Sequence, residues 1–292
     1  MNAPTVSSSE KEPAIFLSTN RRYRWYVNNL INSIIAHNPN HPDILVAVTR
    51  DVQDGDIDVP NNRVHLVENT METEKLSALD YHPKDVNPAS YYGRIMPIKD
   101  NRRFQKYGNI LYLDADTIVC GDLHPLLMKT DFFQVASPDV LYHPFHSIDN
   151  HTIRDLCWDH QKHKLKPQVF GNSWVILMPD KVRTDKVFDE LMRIQESYGD
   201  HFRWADQSLL AFWMAKHQIE PSEESQWNYM GPDYRRFARE NLKMRYKPVK
   251  PHEAVLYHIN NGHSPRKWLF EARMVSKLWA RVTMKVLSAL RA

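Results

Sequence analysis

The sequence predicts an α/β fold, a sheet of short apolar strands with helices crossing over its faces. Two observations predict it. Strand, helix and strand patterns alternate through the first seventy residues at the spacing of crossover units. Further on, the apolar run Ile110-Leu-Tyr-Leu113 ends abruptly in Asp114-Ala115-Asp116, as a buried strand does where it leaves a sheet for a polar loop.

Residues 1–13 are polar and serine-rich and read as a frayed leader. Ala14–Leu17 reads as a buried strand, ended by Ser18-Thr19-Asn20. Tyr26, Leu30, Ile34 and Ile35 then recur on one helical face, and Asn38-Pro39 stops the helix. Ile44–Val48 and the alternating Val64–Val67 read as two more strands. The spacing predicts a helix over Tyr91–Tyr107, with Ile95 and Ile98 inward, Arg102, Arg103 and Lys106 outward, and Gly108 as its C-cap. Trp174–Met178 reads as a strand, Lys181–Tyr198 and Ala205–Lys216 as helices, and Ala254–Tyr257 as a last strand running into His258. Glu271–Ala292 reads as a long amphipathic helix.

Composition bounds the function. With 38 basic and 35 acidic residues in 292, the net charge is +3, far from the basic excess of a dedicated nucleic-acid binder. Only eight glycines occur, with no glycine-rich phosphate loop of either common type. Two cysteines, Cys120 and Cys157, make no disulfide framework and fit a reducing compartment. No apolar run is long enough to span a bilayer, and the first residues lack the apolar core of a signal peptide.

Four features could carry chemistry. Asp114 and Asp116, one residue apart past a buried strand, can both reach one divalent cation where α/β sheets bind ligands; hard oxygen donors suit Mg²⁺ or Mn²⁺. Asp-x-Asp is also a common turn. His258, at another strand end, is either a hydrogen-bonded strand-end histidine or a third ligand, whose imidazole favours Mn²⁺ over Mg²⁺. After it, Asn260-Asn261-Gly262-His263 and Pro265-Arg266-Lys267-Trp268 place a glycine turn and a cation near the same point. Asp206-Gln207 opens a helix, where the carboxylate serves either the helix dipole or a substrate hydroxyl. The histidines of residues 139–168 lack the cysteine-rich ligand set of a zinc site and read as a solvated, substrate-facing loop.

Taken together, Tyr92-Gly93-Arg94-Ile95, the stretch Ile110–Val119, Asp206-Gln207 and His258 through Lys267-Trp268 resemble glycosyltransferase family 8, the group that includes glycogenin and bacterial lipopolysaccharide galactosyl- and glucosyltransferases. The resemblance covers residues 14–268. It implies a GT-A fold, a mixed and mostly parallel sheet flanked by helices, and transfer of a hexose, galactose or glucose, from a UDP-sugar with retention. It implies one Mn²⁺, with Mg²⁺ as the alternative, held by Asp114, Asp116 and His258. Ser18, Thr19 and Asn20 fall where the uridine is held; Arg94 where donor phosphate and sugar are reached; Asp206 where sugar hydroxyls are bound; Gln207 beside the anomeric carbon; Lys267 at the diphosphate. Asn172 and Gly262 fall among the donor-binding positions. The usual Phe-Asn-[Ala/Ser]-Gly segment departs here to Phe170-Gly171-Asn172-Ser173-Trp174, with Trp174 where a small residue is expected, and Ser208 replaces a third carboxylate.

The expected organisation is a leader (1–13), a catalytic domain (14–268) and a basic amphipathic tail (269–292). The expected partners are the UDP-sugar and a glycan or lipid-linked saccharide acceptor, with no nucleic acid. Arg273, Lys277, Arg281 and Lys285 form a basic stripe on the tail, which either lies on an anionic membrane or packs on the domain. The expected location is the cytoplasm, either free or peripheral at the inner face of a membrane. Two rivals remain: a sugar-nucleotide binder without turnover, and a phosphatase of the haloacid dehalogenase type that uses Asp-x-Asp.

Overall fold

The computed structural model describes residues 11–73, 92–136, 171–199, 202, 205–222, 224–227, 229–230 and 253–258. The chain enters as strand β1 (Ala14–Thr19), turns through Arg21–Tyr23, and continues as helix α1 (Arg24–His37), β2 (Asp43–Val48) and β3 (Val64–Glu68). Every residue of β1 is buried, as expected of a central strand covered on both faces. β3, at the sheet edge, alternates instead. In α1 the buried residues are Tyr26, Val27, Leu30, Ile31 and Ile34, the periodic face read from the sequence, and Asn38 ends the helix.

The helix expected over Tyr91–Tyr107 is not formed. A 3₁₀ turn at Gly93–Ile95 leads into the short α2 (Met96–Lys99), and turns follow. Pro97 offers no N–H for a helical bond to the preceding turn, so it can open a helix but not lie within one. Ile95 and Ile98 are nevertheless buried as expected. Gly108 caps no helix: its N–H donates to the Glu12 carbonyl and its own carbonyl accepts from Asp180 N–H, tying β1 and β7 to the start of β4.

Strands β4 (Asn109–Leu113), β5 (Thr117–Val119), helix α3 (His124–Leu127), β6 (Phe133–Ala136) and β7 (Gly171–Pro179) follow. Helix α4 begins at Asp185, not Lys181, and runs to Tyr198; extended Thr184 takes the cap, its Oγ1 accepting from Val187 N–H at 3.3 Å. Helix α5 (Ala205–Lys216) has the expected bounds. Two short strands close the described chain, β8 (Tyr229–Met230) and β9 (Leu256–His258).

Among the described residues six strands form one sheet in the order β3-β2-β1-β4-β7-β6. β3, β2, β1 and β4 are mutually parallel, and β7 runs against both β4 and β6. The mixed sheet alternates its side chains between two cores. Ile15, Leu17, Leu111, Leu113, Val175 and Leu177 face α1 on one side. Phe16, Ile110, Tyr112, Ile176 and Met178 meet α2, α4 and α5 on the other. A smaller sheet pairs β5 with β9 antiparallel and β9 with β8 parallel. Among the described residues no helix is long and apolar enough to cross a membrane.

Candidate active site

The sheet topology gathers the candidate residues at one end of its central strands. β1 and β4 run parallel, so their carboxyl ends, Ser18-Thr19-Asn20 and Asp114-Ala115-Asp116, leave the sheet side by side. β7 runs the opposite way, so its first residues arrive at the same end, where Asp114 N–H donates to the Trp174 carbonyl at 2.9 Å. The short sheet brings the third element. Pairing of Thr117 with His258 sets Asp116 beside the imidazole, with His258 Nε2 2.8 Å from Asp116 Oδ1.

Asp114, Asp116 and His258 each offer a ligand atom within 4.8 Å of the other two. Asp114 Oδ1 is fixed by the Tyr112 hydroxyl at 3.1 Å and by Ala115 N–H at 3.0 Å. Both carboxylates keep some exposure, 23% and 15% of their side chains, which leaves an approach open to a substrate. His258 is only 4% exposed, yet neither ring nitrogen makes a hydrogen bond among the described residues. A buried polar atom without a partner is costly. A cation among these three groups would satisfy it, so oxygen, oxygen and nitrogen donors together fit a divalent metal.

Beside this cluster lies a buried ion pair. Arg94 Nε is 2.8 Å from Asp206 Oδ2, and the two side chains are 7% and 4% exposed. Arg94 Nη1 donates to the Ser173 carbonyl at 3.0 Å and to the Ser173 hydroxyl. Its Nη2 lies 4.0 Å from Asp114 Oδ2, and the guanidinium carbon stands 5.3 Å from the centre of the Tyr112 ring. Burial pushes the Asp206 carboxyl up to about 7, against the pull of Arg94 and with a further push from Asp114. Gln207, next along α5, is half-buried.

Ser18, Thr19 and Asn20 are buried at the β1 end. Thr19 Oγ1 donates to the Asn20 carbonyl, and Asn20 Oδ1 accepts from Tyr23 N–H at 3.2 Å, holding the turn into α1. The Asn172 backbone lies in β7, paired with Val135, and its side chain lies outside the described residues. Gly262, Lys267, the histidine-rich stretch 139–168 and the tail 269–292 also lie outside them.

Three contributors carried little or no sequence signal as site residues. Ser173, the partner of Arg94, is a serine just before the apolar strand pattern Trp174–Met178. Tyr112 alternates inward like any core residue. Trp174 showed only as a bulky residue in a place expected to be small; its ring stacks on His258 with centroids 3.6 Å apart and planes 19° from parallel.

The architecture has solved counterparts. The galactosyltransferase LgtC, in complex with donor and acceptor sugar analogues, matches with a TM-score of 0.61 at 18% identity, covering 86% of this chain and 87% of that one. The bifunctional glycosyltransferase WbbM matches at 0.58 and 19% identity, covering 88% of this chain and 46% of that one. Mouse xyloside xylosyltransferase 1 matches at 0.56 and 11% identity, covering 87% and 99%. At these identities the likeness is one of fold, the GT-A architecture. A search of curated protein sequences gives no match. The model of glycosyl transferase family 8, however, matches residues 14–264, most of the sequence, with the first three motif regions and the start of the fourth at His258, and the chain belongs to that family.

Proposed function

We propose that this glycosyltransferase moves a hexose, galactose or glucose, from a UDP-sugar to a glycan or lipid-linked saccharide with retention at the anomeric carbon. The observation that carries the reading is the meeting of two arrangements at the ends of the central strands: the Asp114, Asp116 and His258 cluster, and the buried Arg94–Asp206 pair 4.0 Å from it. Asp114, Asp116 and His258 hold a divalent cation, Mn²⁺ in preference to Mg²⁺ because one donor is an imidazole. Such a cation, when bound, neutralises charge on a diphosphate leaving group.

The chain's own residues do the rest. Arg94, fixed on three sides, presents permanent positive charge beside the place where negative charge develops, and it need not reorganise during the reaction. Asp206 accepts hydrogen bonds from sugar hydroxyls. Gln207 stands beside the anomeric carbon, and Ser18, Thr19 and Asn20 border the uridine. Asn172, Gly262 and Lys267 complete the donor site, with Lys267 at the diphosphate. The segment 271–292 attaches the enzyme peripherally to anionic membrane, which co-sedimentation of full-length and truncated chains with anionic vesicles tests.

A donor panel tests the central reading. UDP-galactose, UDP-glucose and UDP-N-acetylglucosamine are incubated with the protein and Mn²⁺, and UDP release is measured. One of the two hexose donors is expected to be hydrolysed and EDTA to stop it. Donor binding without any turnover identifies a binding protein instead, and phosphate release from simple phosphomonoesters identifies a phosphatase.

A further inference from the structure

A histidine that ligates a metal almost always has its second ring nitrogen hydrogen-bonded to a carboxylate, carbonyl or water, and that bond sets the plane of the ring. Among the described residues His258 has no such partner: Nδ1 is buried and makes no hydrogen bond to any of them. Its ring is instead covered by Trp174, stacked at 3.6 Å and 19°. The same residue's carbonyl accepts the Asp114 N–H at 2.9 Å. Its neighbour Ser173 holds Arg94 through both carbonyl and hydroxyl. Ser173 and Trp174 of β7 thus touch Asp114, His258 and Arg94, which come from three other places in the chain.

We infer that Trp174 is a positioning residue for the metal cluster: its indole face replaces the missing hydrogen bond and holds the His258 imidazole in the plane that points a nitrogen at Asp114 and Asp116. The inference rests on the reading of these three residues as metal ligands. The backbone half of the arrangement, the Asp114 N–H to residue 174 carbonyl, is available to any residue at 174. The aromatic half is not, and it requires a flat ring. A leucine keeps an apolar side chain against the core cluster on which Trp174 packs, but it is smaller and offers no plane to a facing imidazole.

The test is Mn²⁺ binding by the full chain with UDP present, followed by the electron paramagnetic resonance signal of free Mn²⁺, which needs no turnover. Wild type, Trp174→Phe, Trp174→Leu and His258→Ala are compared, with circular dichroism melting to show that each is folded. Trp174→Phe is expected to bind within about threefold of wild type, and Trp174→Leu to bind about tenfold or more weakly, in the range seen when a group supporting a ligand is lost. If Trp174→Leu binds like wild type while His258→Ala does not, the stack is packing alone and the inference is wrong. If wild type and His258→Ala bind Mn²⁺ equally, the metal reading itself fails and takes the inference with it.

Discussion

Arg94 Nε lies 2.8 Å from Asp206 Oδ2, and both side chains are almost wholly withdrawn from water. The two residues come from different layers of sequence, one on a 3₁₀ turn, the other in the first turn of α5. The guanidinium also reaches the Ser173 carbonyl and hydroxyl, so its fork is used in several directions at once. A lysine is a compact cation without that planar fork. Arg94→Lys is therefore expected to keep the charge and lose the geometry. UDP release from the preferred donor should fall by about a hundredfold, the scale of losing one preorganised electrostatic group. Urea unfolding checks that the variant remains folded.

Asp206 gives a pH-dependent signature. Its carboxyl is raised from the ordinary 3.8 to about 7, first because it is buried; Arg94 opposes this and Asp114 adds to it. Tyr92 and Tyr112 also face this charge, and both phenols are themselves pushed up, chiefly by burial. In the unfolded chain Asp206 ionises near its ordinary value, while in the folded chain it holds its proton up to about 7. Between those values the folded state binds more protons, so its contribution to stability is full below about pH 4, falls as pH rises toward 7 and is level above. Asp206→Asn cannot ionise. The difference in urea midpoint between variant and wild type should grow in the variant's favour from pH 4 to 7 and then stay constant. A difference that does not change with pH across that range would show that Asp206 is already ionised in the fold.

Much of this fold was legible locally, and the reason is physical. The β1–α1–β2 unit carries its pattern in consecutive residues: an unbroken apolar strand, then Tyr26, Leu30 and Ile34 at helical spacing. α5 was bounded correctly for the same reason. The 91–107 region was misread because its apolar spacing is helical while Pro97 forbids a continuous helix. β5 and β8 were missed because strands of three and two residues have no period of their own; pairing with β9 defines them. The grouping of Asp114, Asp116 and His258 was legible through strand-end position, since Asp114 and Asp116 follow β4 and His258 ends β9. The contacts among Arg94, Asp206 and Ser173 were not, because an ion pair between distant turns leaves no trace in the spacing around either residue.

Gly93 sets where Arg94 can sit. Its turn presses on the end of β1, so that a Cβ there would lie 2.0 Å from Ser18 Oγ, 2.9 Å from Ser18 Cβ and 2.9 Å from Asn69 Nδ2. The Oγ can rotate aside, but the Cβ belongs to a strand fixed between β2 and β4. Gly93→Ala should cost about 1–3 kcal/mol, as overpacking of a filled site does. It should also push Arg94 off Asp206 and lower UDP release. Ser18→Gly in the Gly93→Ala background removes both Ser18 atoms and should recover part of the loss. Unchanged urea midpoints in Gly93→Ala would show that the turn has room to move.

The carboxylate at 116 separates the metal reading from a purely structural one. Asp116 Oδ1 faces His258 Nε2 at 2.8 Å without a hydrogen bond between them. Asp116→Asn keeps size and shape but removes the negative charge that a divalent cation requires. If the cluster holds a metal, the variant should fold normally and lose UDP release by at least about a hundredfold, the scale for a key electrostatic stabiliser. Excess Mn²⁺ should restore part of that loss, because weakened binding can be offset by mass action. In the same assay EDTA should abolish wild-type turnover, and added Mn²⁺ should return it. If Asp116 served only to support the β5–β9 pairing, the variant would instead lose thermal stability, Mn²⁺ would rescue nothing, and wild-type activity would survive EDTA.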